Sequence, residues 1–127
     1  MNTKVKDIKS VLTEGSKAIN KKSNYPILGF VCLCAWTNGH IGAFSTNLEK
    51  TADCIREIAQ DIKEDWQACV PSALIDWLKT CDPKSTVKFE LDKRTQVLTA
   101  WNDQSTANFK CIDAAEFPEF YTAAGRS

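Results

Sequence analysis

A chain of 127 residues has the length of one ordinary domain and can bury roughly two-thirds of the surface its unfolded form exposes. Its 16 basic and 16 acidic side chains cancel. That excludes a global field drawing it onto nucleic acid or an anionic membrane, so any such attraction must come from local segregation of charge.

The polar start MNTKVKDIKS lacks the apolar centre of a signal peptide, and no apolar run approaches the roughly 18 residues of a membrane span. A soluble, cytoplasmic protein is expected. Val5, Ile8, Val11, Leu12, Ala18 and Ile19 then recur at helical steps and predict a helix over about residues 5 to 20. The opposite side of its wheel carries Lys6, Lys9, Thr13, Lys17 and then Lys21, with Asp7 and Glu14 at the margin, so the exposed face is a basic stripe. Asn24, Tyr25 and Pro26 end the helical region, because a residue before proline is pushed out of helical angles.

A strand is predicted from Ile27 to Trp36, a hairpin turn at Asn38-Gly39, a return strand from Ile41 to Thr46 and a third strand from Glu49 to Ile58. Gln60 to Asp65 reads as a solvated loop and Trp66 to Val70 as a short strand running into Pro71. Leu74, Ile75, Trp77, Leu78 and Cys81 mark a second helix over about residues 72 to 81, stopped by Pro83. Three alternating strands follow, through Val87, Phe89 and Leu91, through Val97, Thr99 and Trp101, and through Ala107, Phe109 and Cys111.

The six cysteines lie mostly inside apolar patterns without a CxxC pair, so they read as reduced core residues. With His40 the sole histidine, no metal-ligand spacing is present. No nucleophile elbow, phosphate-cradling glycine loop or triad context appears either. Asp53, Asp61, Glu64 and Asp65 read as solvated surface. The expectation is a protein without catalytic residues, metal or cofactor. If the residues before Val5 supply a strand stub, both halves read βαβββ with helix starts about 65 residues apart. The economical packing is an α+β fold, with two adjacent helices against antiparallel sheet.

On that frame four motifs stand in order. Pro26-Ile27-Leu28 resembles the "LPIL" of the bacterial sliding clamp, the β subunit of DNA polymerase III; Ser45-Thr46-Asn47-Leu48-Glu49 resembles its "ATDLE"; Val70-Pro71-Ser72 resembles its "VPA"; and Glu116-Phe117-Pro118-Glu119-Phe120 resembles its "EFPEL". The resemblance runs from Val5 to Phe120 and is to the first domain of that family. It implies two βαβββ halves with both helices facing DNA and the strands forming an outer skin. Lys22 matches a position where a basic loop residue reaches a phosphate. Phe109 matches an aromatic at the subunit interface, although the arginines usual beside it are replaced here by Thr106, Ala107 and Asn108. A subunit of that family strings three such domains and pairs head to tail into a ring, with its peptide-binding pocket in the later domains.

The expected organisation is a single clamp-like domain over residues 1–120 and a flexible tail over 121–127. The function implied is that of a DNA polymerase processivity factor or a fragment of one, with Lys6, Lys9, Lys17, Lys21 and Lys22 facing DNA and Phe109 at a subunit interface. Expected partners are duplex DNA, bound weakly and without sequence preference, and copies of itself or other clamp domains, with no membrane. The alternative is a stand-alone interaction module that binds a clamp or replication protein through a sheet edge without touching DNA.

Overall fold

The computed structural model describes residues 1–20, 22 and 24–117. Strand β1, Asn2–Lys4, leads without a loop into helix α1, Val5–Gly15. Strands β2, Val31–Ala35, β3, His40–Thr46, β4, Thr51–Glu57, and β5, Ala59–Gln60, complete the first half. The second half contains β6, Trp66–Val70, helix α2, Ala73–Lys79, and strands β7, Thr86–Asp92, β8, Val97–Trp101, and β9, Thr106–Lys110.

All pairings are antiparallel, in one sheet ordered β5-β1-β7-β8-β9 and another ordered β4-β3-β2-β6. The halves exchange their first strands. β1 joins the second half, with Thr3 opposite Val87, and β6 joins the first, with Cys32 opposite Cys69. The exchange extends to the segment after each three-stranded run: Ala59 lies opposite Thr3 of β1, and Ile112 bridges Cys69 of β6.

The helices pack side by side. Val5, Ile8, Val11 and Leu12 of α1 join Leu74, Ile75 and Leu78 of α2 in one core with the inner faces of both sheets. The orphan amides that begin α1 are met from the second half, since Val5 N–H donates to the Ser85 carbonyl (3.0 Å) and Lys6 N–H to that of Pro83 (3.2 Å). Two residues expected in this core, Ile19 and Trp77, are only half-buried at its rim.

Three predicted elements differ in extent. α1 stops at Gly15 rather than near residue 20, because the Ala18 N–H is taken by Ser45 Oγ (3.0 Å), a tertiary acceptor, instead of a helical carbonyl. The strand expected from Ile27 begins only at Val31, because Pro26 opens a 3-10 turn, Pro26–Gly29, that buries Leu28. Within the expected loop of residues 60–65, Gln60 ends β5 and Ile62 is buried.

The outer faces of the two sheets differ. Cys32, Cys34, Phe44 and Cys69 point away from the helices and form a second apolar cluster under Ala114 and Phe117. On the other sheet, Lys88, Glu90, Asp92, Thr106, Asn108 and Lys110 stand open to water. All six cysteines are free, five of them buried and Cys54 half-buried. The expected tail, residues 121–127, lies outside the described residues.

Candidate nucleic-acid interface

Periodicity decides which face α1 shows. With Val5, Ile8, Val11, Leu12 and Gly15 buried, the remaining arc presents Lys6, Thr13 and Glu14 exposed and Asp7, Lys9 and Ser10 half-exposed. Lys17 is exposed in the turn that follows, where its ammonium meets the Glu14 carboxylate at 2.9 Å. Both partners are well solvated, so this pair holds Lys17 only loosely and leaves its charge available. Among the described residues no carboxylate pairs with Lys6, Lys9 or Lys22.

Lys22 is exposed on the loop between α1 and the 3-10 turn. Asn20 braces that loop twice: its N–H donates to the Leu28 carbonyl (2.7 Å), and its side-chain oxygen accepts the Lys22 N–H (3.1 Å). Lys21 lies outside the described residues. The structure thus leaves Lys6 and Lys9 on the outward arc of α1 and Lys17 and Lys22 exposed in the segments that follow it.

α2 contributes little charge. Its exposed residues are Ala73, Asp76 and Lys79, with Thr80 at its end, so the two ionic groups cancel. Trp77 sits half-buried on the same helix, and its indole N–H donates to Ser105 Oγ (3.1 Å). Phe109 points inward from β9 with 7% of its surface exposed, and its ring meets Trp77 edge-on at 6.2 Å. Its side chain is a core element in this chain. The surface available to a neighbour at that edge is instead the β9 backbone with Thr106, Asn108 and Lys110.

One residue treated in the sequence only as a helix terminator emerges here as a surface feature. Tyr25 is 64% exposed and lies on the Lys22 loop. The signal was Pro26, which holds Tyr25 extended (φ −102°, ψ 105°) and turns its side chain away from the core.

Among the described residues no group of three or more His, Cys, Asp or Glu is placed to hold a metal ion, and no helix is long and apolar enough to cross a membrane. The buried thiols are poor nucleophiles: burial pushes Cys111 up to about 11, and contact with the Cys32 thiol together with burial drives Cys34 higher still.

These features, a pair of adjacent helices on exchanged antiparallel sheets, define a sliding-clamp domain fold. Solved structures with that fold include the Bartonella birtlesii sliding clamp, DNA polymerase III subunit beta, bound to griselimycin, at TM-score 0.83 and 18% identity, covering 94% of this chain. The Pseudomonas aeruginosa DNA polymerase III subunit beta matches at TM-score 0.81 and 18% identity over 93% of this chain. The Caulobacter crescentus DNA polymerase sliding clamp matches at TM-score 0.81 and 16% identity over 92%. In each case the chain spans only 31% of the length of the clamp it matches. No protein-family model matches the sequence, and comparison with curated proteins finds no match.

Proposed function

We propose that this chain is a non-enzymatic clamp domain, a DNA polymerase processivity factor or a part of one, that contributes a basic inner wall around duplex DNA in the cytoplasm. The observation that supports the reading is the run of solvent-facing lysines in and just after α1 of a sliding-clamp fold: Lys6 and Lys9 on the helix, Lys17 in the turn after it and Lys22 on the following loop. Lys21 is proposed as a further DNA-facing lysine of the same segment. Contacts of this kind neutralise phosphates and read no bases, so binding is weak, indifferent to sequence and steeply salt-dependent. The near-neutral α2 keeps each copy's contribution small.

A wall needs neighbours, and among the described residues the sheets offer two long edges with no strand beside them, β4 on one and β9 on the other. β6 is bridged by Ile112, and β5 has only two residues. Copies of the chain, or other clamp domains, would join head to tail by pairing such edges, with Phe109 supporting β9 from behind.

The test is anisotropy of labelled duplexes of two unrelated sequences across a salt series, on the chain alone and after crosslinking into oligomers. Lys17, Lys21 and Lys22 are then changed together to glutamate. Binding should be equal for both sequences, fall by about 0.9 log unit per log unit of salt for each phosphate contacted, and vanish in the triple variant. Lys17 and Lys22 are exposed, and exposed substitutions typically shift stability by about 0.5 kcal/mol or less; far-UV circular dichroism checks that the triple variant keeps the fold. If crosslinked protein binds DNA equally well after all three reversals, the inner-wall role fails and the edge-binding interaction module is the better account.

A further inference from the structure

We infer that Cys32 and Cys69 form an oxidative modification site, at which a peroxide closes a cross-strand disulfide between β2 and β6. The inference stands apart from the DNA-facing reading and rests on the register of the two strands. Cys32 lies directly opposite Cys69 on the outer face of the sheet, with Cys34 in the same cluster. The Cys32 thiol interacts with both other thiols, and its sulfur is 4.0 Å from that of Cys34.

Backbone hydrogen bonding fixes how the pair can react. The Cys69 N–H donates to the Ile112 carbonyl (2.9 Å) and the Cys69 carbonyl accepts the Ile112 N–H (2.9 Å), both on the side of β6 away from β2. Cys32 and Cys69 therefore occupy a non-hydrogen-bonded position of the β2–β6 ladder, where Cα atoms stand about 4.5 Å apart and side chains approach most closely. A disulfide spans Cα separations of about 4.4 to 6.8 Å, so the pair closes without a change of register. Cys34 competes poorly, because two residues along one strand set its Cα about 6.7 Å from that of Cys32, at the upper limit.

The thiols are reached through their cover. Ala114 and Phe117 lie over them at the two ends of a 3-10 turn, Ala114–Glu116 with its cap, and the Cys69–Ile112 pair joins that segment to β6. Within the turn the bonds are local, from the Ala115 N–H to Asp113 Oδ1 (2.9 Å) and from the Glu116 N–H to the Asp113 carbonyl (3.0 Å). A short turn of this kind lifts without unfolding the sheet beneath it and admits a small oxidant slowly.

Two thiols and one hydrogen peroxide give one disulfide and two waters. The Cys32 sulfur takes one peroxide oxygen as the O–O bond breaks, leaving a sulfenic acid and the first water. The Cys69 sulfur then displaces that oxygen as the second water and forms the S–S bond, both thiol protons ending in water. The product ties β6, the strand lent by the second half, covalently to the first.

In the test the full chain is held for hours in hydrogen peroxide without denaturant, its remaining thiols are blocked, and its peptides are mapped by mass without reduction. A linked Cys32–Cys69 peptide is expected, lighter by two hydrogens than the sum of its parts and split by dithiothreitol. The urea midpoint of the oxidised protein should rise, because the crosslink restricts the unfolded chain. Cys69→Ala should lose the linked peptide and Cys34→Ala should keep it, so the second variant decides the matter where the first fails to fold. Cys32 and Cys69 that stay free thiols, advance to sulfinic acid or pair with other cysteines overturn the inference, as does a disulfide that forms only in denaturant.

Discussion

Cys32, Cys34 and Cys69 show how far neighbouring atoms decide the chemistry of a residue. The Cys32 and Cys34 sulfurs are 4.0 Å apart on one face of β2, and Cys69 stands opposite Cys32 on β6. Burial under Ala114 and Phe117 keeps all three from solvent, and for Cys32 and Cys34 the thiolate, the reactive form, is disfavoured there. Cys54, on the edge strand β4, is the exception, being half-buried and outside that cover. Labelling with a bulky maleimide without denaturant should therefore modify Cys54 first and leave the other five untouched until unfolding. Peptide mass mapping reads the order, and rapid modification of Cys32 or Cys69 in native protein would contradict the assignment.

At the scale of elements, the junction of α1 with β3 sets the helix's seat. A Cβ on Gly15 would lie 2.5 Å from the Ala43 carbonyl oxygen and against Ala43 Cβ, backbone-level contacts that cannot swing aside. In an isolated helix Gly→Ala stabilises by about 1 kcal/mol. Here the sign reverses: Gly15→Ala should destabilise by about 1 to 3 kcal/mol, because α1 must lift from β3 or strain. Urea unfolding measures it, and an unchanged or raised midpoint would show that the close approach is not required. The same junction explains why helical periodicity overran the helix. Ala18 is buried as the pattern foretold, but it is placed by Ser45, in a turn.

For the whole molecule, the exchange of first strands makes the halves interdependent. β1 lies against β7, β6 lies against β2, and α1 shares its core with α2. A fragment of residues 1–60 keeps only the two-residue β5 beside β1, loses β7 from its other side and exposes the second edge of β2; residues 61–127 lack β1 beside β7. Neither should fold alone, whereas mixing them should restore near-UV circular dichroism and the cooperative unfolding of the intact chain. Independent folding of either fragment would show that the exchanged pairs contribute little.

The local pattern of residues was sufficient for two amphipathic helices, the alternating strands and the Asn38-Gly39 hairpin, where Gly39 indeed takes φ +91°. It also sufficed for the lysines opposite the buried arc of α1, because side-chain direction within one element follows from its period. Tertiary structure alone decided which strand lies beside which, since partners such as Asn2 and Lys88 or Cys32 and Cys69 meet only after long loops close, and no period links them. It likewise decided that α1 ends at Gly15, that the Phe109 side chain packs on Trp77, and that Leu28 is buried in a 3-10 turn rather than a strand. The first two depend on what a distant segment offers, a hydroxyl at Ser45 and an indole at Trp77.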